Sequence, residues 1–215
     1  GIEWLGEVPE HWEVCQLRRV VRRFVDYRGQ TPLKTESGIP LITASAVKNG
    51  EIDHTLAPEY IAEEDYTDWM CRGMPEIGDV IITTEAPLGE VAQVHDKHVA
   101  FAQRIILIKV NKKRIIAEFL RYYYLSQSGK SELLSRATGS TASGIRSDRL
   151  RMSLVLVPPL NEQQRIVRWL DPVLEHLRAP ANQIVTSIDL LREYRTALIS
   201  AAVTGKIDVR KEVLQ

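Results

Sequence analysis

Two short stretches carry the side chains best suited to grip another molecule through hydrogen bonds. In the segment Tyr27-Arg28-Gly29-Gln30-Thr31-Pro32, Gly29 and Pro32 break any regular pattern and mark a loop. Arg28, Gln30, Thr31 and the nearby Lys34 fill that loop with donors. Arg and Gln can each meet two atoms of a guanine or adenine edge at once, so this loop is the better base reader. The second stretch, RATGSTASGIRSDRL, runs over residues 136–150. Gly139 and Gly144 permit close backbone approach there, and Ser140, Thr141, Ser143 and Ser147 offer short hydroxyls. Arg136, Arg146, Arg149 and Arg151 bracket them. A loop lying on a sugar-phosphate backbone needs that composition, although linkers share it. Lys112 and Lys113, next to Arg114, form a third cationic group, which either faces phosphates or sits at a solvated turn.

No catalytic constellation accompanies these groups. The glycine loops that cradle dinucleotides, S-adenosylmethionine or nucleotide phosphates are absent from the sequence. His95 and His98 lack the cysteine or carboxylate partners of a zinc site. Asp79 and Glu85 have roughly nuclease-like spacing, but Ala86 and Pro87 stand where a catalytic lysine would follow. The expectation is a non-catalytic chain without cofactor or metal.

Composition narrows the class further. The 215 residues are 44% hydrophobic, ample for a core, and no apolar run reaches the length of a membrane span. The two cysteines, Cys15 and Cys71, make no disulfide framework, which fits a reducing, cytoplasmic setting. The chain starts at Gly1 without Met, which points to a cut or engineered N-terminus. A net charge of zero hides a segregation: twelve acidic residues against Arg72 alone between Glu51 and Asp96, then twelve basic against three acidic between Lys97 and Arg151. The basic stretch either attracts phosphates or faces the acidic one across the fold.

The elements that must position these groups follow from periodicity. Leu17, Val20, Val21, Phe24 and Val25 recur at helical spacing, with arginines opposite. Apolar, β-branched runs at 38–43, 78–84, 89–94, 104–110 and 153–157 predict strands. Residues 114–127 return to a helical period, with Ile116, Phe119, Leu120, Tyr123 and Tyr124 on one stripe; the tyrosines read as core rather than as stacking platforms. After Pro158-Pro159, Asn161 and Gln164 have the spacing of a capping box. Leu170, Leu177, Ile184, Leu191 and Leu198 then fall at seven-residue intervals, with Ile166, Val173, Pro180, Ser187, Tyr194 and Ala201 as companions. Such a seam asks for a partner helix. Pro180 is expected to break it into helices over 161–178 and 182–203, and Gly205 to stop the second. The expected fold class is α+β: a globular mixed α/β recognition domain over 1–160, then a long helical spacer and dimerisation region over 161–215.

Taken in order, these segments resemble the specificity (S) subunits of Type I restriction-modification systems, over essentially the whole chain. The matching segments are WLGEVPEHWEV (4–14), YRGQTP, GIPLITASAVKNGEID, GDVIITTEAPLGEVAQV, GSTASGIRSDRLRMSLVLVPPLNEQQRIV and LLREYRTALISAAVTGKIDVR. The resemblance implies a subunit that does no chemistry itself. In that family two recognition domains, separated by two antiparallel helices, each read half of a bipartite DNA site. The helices dock methylation (M) subunits, which use S-adenosylmethionine, and through them restriction (R) subunits. One domain and one helical region make this chain a half subunit or a cut-out half, which would pair with a second copy through Ile166, Leu170, Val173, Leu177, Ile184, Leu191, Tyr194 and Leu198. Pro180 departs from an unbroken spacer helix. The alternative function is a helical protein-interaction module without DNA specificity, for which the acidic segment would suit. A catalytic DNA methyltransferase, the third reading, would have to bind S-adenosylmethionine.

Overall fold

The computed structural model describes residues 8–56, 58–138 and 144–207. Its chain follows the order β1 (Glu13–Gln16), a 3-10 turn at Leu17–Arg19, β2 (Val21–Asp26), β3 (Ile39–Ile42), β4 (Val47–Lys48), β5 (Glu51–Ile52), β6 (Tyr60–Ile61) and α1 (Glu63–Trp69). Then come β7 (Val80–Thr84), β8 (Leu88–Gln93), β9 (Ala100–Phe101), β10 (Ile105–Val110), α2 (Ala117–Leu125), α3 (Gln127–Ser135), α4 (Ser147–Arg151), β11 (Leu154–Val157) and α5 (Leu160–Val203). The mixed α+β class expected from the sequence is the class observed. Two compact units divide the chain, Gly1–Val167 and Arg168–Gln215.

The first unit is built on an antiparallel sheet in the order β2-β10-β7-β8. Its central strands are buried at every position but Val110, and apolar except at Lys109, Thr83 and Thr84, because both faces are covered. Ile106, Ile108, Val80, Ile82 and Val91 point into one core, with Phe119, Leu120, Tyr123 and Tyr124 of α2 packed over them. Their alternates, Ile105, Leu107, Ile81 and Ala92, enter a second core. There Leu41, Ile61 and Phe101 of a smaller sheet, β6-β3-β9, cover them. The tyrosines of α2 are core as expected: Tyr124 is fully buried with its hydroxyl 2.8 Å from Ser153 Oγ, and Tyr123 Oη donates to the Leu154 carbonyl at 2.8 Å.

Several local expectations are corrected. The helix foreseen from Leu17 to Val25 is a 3-10 turn followed by β2, which pairs with β10 at Val25↔Leu107 and Phe24↔Ile108. Five apolar residues at i, i+3, i+4 spacing fit a helix, but Val20, Val21 and Val25 are β-branched and the free edge of β10 takes the segment as a strand. The 114–127 helix begins only at Ala117, and Ser126 then caps a separate helix by accepting from the Gly129 N–H. Part of the 136–150 loop is helical, since α4 starts at Ser147.

The long helix is not broken. α5 runs for 44 residues with Pro172 and Pro180 inside it. A proline deletes one hydrogen bond and crowds one carbonyl, but a full stop forfeits a whole turn and requires a second costly nucleus, so the helix continues. Asn161 and Gln164 form no capping box: the Pro159 carbonyl accepts from the Glu162 and Gln163 N–H groups, at 2.8 and 3.0 Å, two positions before the expected cap. The end is as expected. Gly205 adopts φ 72°, its N–H bonds to the Ala202 carbonyl and that of Lys206 to Ala201, which is a Schellman stop.

Candidate nucleic-acid interface

Strand order decides which of the candidate residues meet. Asp26 ends β2 opposite Ile106, and Thr83 of β7 lies opposite Ile105. The loop after β2, the turn after β7 and the approach to β10 therefore emerge at one end of the sheet. The later loop is tied to the same end: Ile145 N–H donates to the Thr84 carbonyl at 2.8 Å, and Gly144 bridges Glu85. Ser147, at the start of α4, lies near enough to Asp26 to help lower its pKa. Arg28 and Arg146, far apart in sequence, are thus brought together.

At this end the first loop borders a polar recess of about 290 Å³, lined among others by Thr31, Lys34, Thr43, Ser45, Gln103 and Arg104. Lys34 is ion-paired with Glu59 at 2.8 Å, and Arg104 with Glu85 at 3.0 Å. Arg146 pairs with Asp148 at 3.1 Å, and Arg149 lies across the Arg136 carbonyl at 3.5 Å. Gln30 is exposed and borders a second recess that also holds Asp65 and Asp68, a setting unsuited to phosphate. Thr43, Ser45, Gln103 and Arg104 were not foreseen. Each stands at or just beyond the end of an expected strand, and only the pairing order shows that those strand ends converge.

Arg28 is the most constrained of these side chains. Its Nε and Nη2 donate to the Asp26 carboxylate, at 3.0 and 2.7 Å. Partial burial pushes the Asp26 carboxyl up, but the Arg28 hydrogen bonds and the nearby Ser147 outweigh it and hold the group below the ordinary carboxylate range.

Other candidates lie elsewhere. Lys112 and Lys113 follow β10 at its opposite end, roughly 20 Å from Arg104 at strand rise. They border a cleft containing Glu76 and Asp79, whose carboxylates pair with the buried Lys109 at 2.9 and 2.7 Å. Together with Arg104–Glu85, these pairs set part of the basic stretch against the acidic one, the bland alternative raised by the charge pattern. Ser140 and Thr141 lie outside the described residues. His95 and His98 are exposed, and the His98 ring tilts against Tyr66 with centroids 5.7 Å apart.

The helix seam divides as well. Ile166 packs against the first unit's core. Val173, Leu177, Ile184, Leu191, Tyr194 and Leu198 are exposed, and Leu170 is half-buried. Trp169, Leu174 and Ile188 widen this apolar stripe. No helix among the described residues is long and apolar enough to cross a membrane.

Two sequence segments that looked unrelated also meet. β1 pairs antiparallel with β11, Glu13↔Val157 to Gln16↔Leu154. Trp12 Nε1 donates to Glu162 at 3.0 Å and His11 contacts the same carboxylate at 3.0 Å; the Trp12 bond is the main cause of Glu162's lowered pKa. Beside them Gln163 is wholly buried, accepting from the Ile116 N–H and donating to the Arg114 and Pro158 carbonyls.

The family model of the type I restriction modification DNA specificity domain matches residues 9–186, and the chain belongs to that family. It is 22% identical over 213 residues to the EcoKI specificity subunit of a type I restriction enzyme from Escherichia coli (strain K12), covering 94% of this chain and 44% of that one. It is 24% identical over 220 residues to the MjaVIII specificity subunit of Methanocaldococcus jannaschii, covering 96% and 48%. The chain therefore spans about half the length of these relatives. Among solved structures, the HsdS subunit from Thermoanaerobacter tengcongensis shares the fold with a TM-score of 0.58 at 20% identity, over 97% of this chain and 52% of that one.

Proposed function

We propose that this chain is a non-catalytic, sequence-specific DNA-recognition subunit that reads one half of a bipartite double-stranded site. The observation that carries the reading is the convergence of Arg28, Thr31, Lys34, Arg104 and Arg146 at one end of the β2-β10-β7-β8 sheet, in a member of the specificity-domain family. Gln30 and Arg28 are the base readers, and Ser140, Thr141, Arg146 and Arg149 the contacts of the later loop. Lys112 and Lys113, after the opposite end of β10, lie outside this DNA-reading surface. Residues 1–160 form the recognition domain and 161–215 the spacer.

The exposed stripe of α5 gives the spacer two tasks: pairing with the same stripe of a second copy, and docking methyltransferase subunits, which bring the restriction subunits. The restriction system works in the cytoplasm, where the DNA is. A partner helix is required because an apolar stripe that long gains stability only when covered.

The test is a map of methylated adenines in DNA from cells that express the chain with its methyltransferase subunits. A bipartite motif that depends on the chain supports the reading. Inverted identical halves assign pairing between two copies; unlike halves assign the second half to another recognition domain. Methylation independent of the chain refutes the proposal.

A further inference from the structure

The turn that carries Arg28 is held more firmly than a surface loop requires. Tyr27 is buried and its hydroxyl donates to the Gly73 carbonyl at 2.6 Å. Arg72 Nη1 donates to the carbonyls of both Asp26 and Arg28, and Arg23 Nη2 reaches the Arg72 carbonyl at 2.6 Å. Asp26 Oδ1 accepts the Arg28 backbone N–H at 3.1 Å, and the same carboxylate takes the Nε and Nη2 side of the guanidinium. Gly29, at φ 113°, then turns the chain away.

A guanidinium has five N–H groups in a rigid fork. Asp26 occupies its side edge. The end edge, Nη1 with the remaining Nη2 hydrogen, meets no hydrogen-bond acceptor among the described residues, and the side chain is 37% exposed. That end edge matches the O6 and N7 acceptors of guanine in the major groove. A phosphate is the poorer fit. The Asp26–Arg28 pair is close to neutral, and the nearby Glu85 and Asp148 are themselves paired with Arg104 and Arg146, so this turn by itself draws an anion weakly but retains a directed pair of donors.

We propose that Asp26 is a positioning residue that fixes Arg28 for bidentate recognition of a guanine, and that the half-site contains a guanine facing this turn. The inference rests on the DNA-reading function proposed above and adds the base identity and the residue that enforces it.

The experiment selects bound sequences from a random double-stranded DNA library with the full chain and its methyltransferase subunits. Wild type, Asp26→Asn and Arg28→Lys are compared, each with a thermal melt and a salt titration on non-specific DNA. Wild type is expected to enrich a motif containing a guanine that Arg28→Lys no longer selects, a loss of about tenfold or more in discrimination at that one position. Lysine keeps the charge, so the salt slope is expected to stay the same. Asp26→Asn is expected to weaken the same position severalfold while binding random DNA more tightly, because it removes a negative charge. Loss of the Asp26 charge is expected to lower the melting temperature in either case, but a merely structural role would affect all positions alike. Arg28→Lys, at a partly exposed site, keeps the test decisive if Asp26→Asn fails to fold. Uniform weakening at every position, or unchanged guanine preference in Arg28→Lys, overturns the inference and leaves the DNA-reading function standing. A wild-type complex with no sequence preference overturns both.

Discussion

Gln163→Leu offers the sharpest quantitative test of how the helix is joined to the first unit. Gln163 is 0% exposed, and its amide makes three bonds to main chain: from the Ile116 N–H at 2.9 Å, to the Arg114 carbonyl at 3.0 Å and to the Pro158 carbonyl at 2.8 Å. Leucine is close in volume, so the cavity contribution is small and the loss is one of polar satisfaction. Each buried group left without a partner costs about 1–3 kcal/mol, more where water cannot enter. Three such groups, some partly relieved by water, give about 4 kcal/mol. For a protein of this size that lowers the melting temperature by roughly 8–16 °C. The assay is thermal unfolding followed by near-ultraviolet circular dichroism, with Gln164→Leu as the control. Gln164 is exposed and bonds none of these groups, so its substitution is expected to stay within about 0.5 kcal/mol of wild type. A loss below about 1 kcal/mol for Gln163→Leu, or equal losses in both, would refute the claim that this amide anchors the helix entry.

Further outcomes are expected. Leu191 is 66% exposed in the single chain, so Leu191→Asp should leave the melting temperature of the monomer nearly unchanged while weakening self-association at least tenfold by analytical ultracentrifugation; a wild-type monomer at high micromolar concentration would remove the pairing proposal. For DNA affinity against salt, Arg146→Ala should lower the log–log slope by about 0.9, equivalent to about a 3.5-fold change over a fourfold salt range. Lys113→Ala, at the far end of β10, should leave the slope as it is, and the reverse pattern would put the DNA at the wrong end of the sheet. Because Asp26 has a depressed folded pKa, its contribution to stability is full above the unfolded value of about 3.9 and is lost as pH falls through the folded value. Asp26→Asn should therefore be less stable than wild type at pH 7, with the gap closing below about pH 4 in denaturant titrations; a gap independent of pH would show that the charge is not what holds the turn.

Much of this protein was legible in the residues alone. Period-2 and continuous apolar runs located β3, β7, β8, β10 and β11 within a residue or two, because a strand buried on both faces has few other sequences available. The stripe on α2 identified its own core side, and Gly205 identified the end of α5, because a left-handed residue at that position is a local requirement. Tertiary structure decided the rest. Val21–Val25 lies in a strand rather than a helix because β10 offered it an edge, a fact that lies some eighty residues away. Pro180 sits inside a helix because stopping and restarting is costlier than one lost hydrogen bond. The strand order β2-β10-β7-β8 separates Lys112 and Lys113 from Arg28, and gathers Gln103 and Arg104 beside Thr31. Side-chain type is a property of one position, and sequence carries it directly. Proximity between loops is a property of strand pairing, which forms only when distant segments close on one another, so it was decided by the fold.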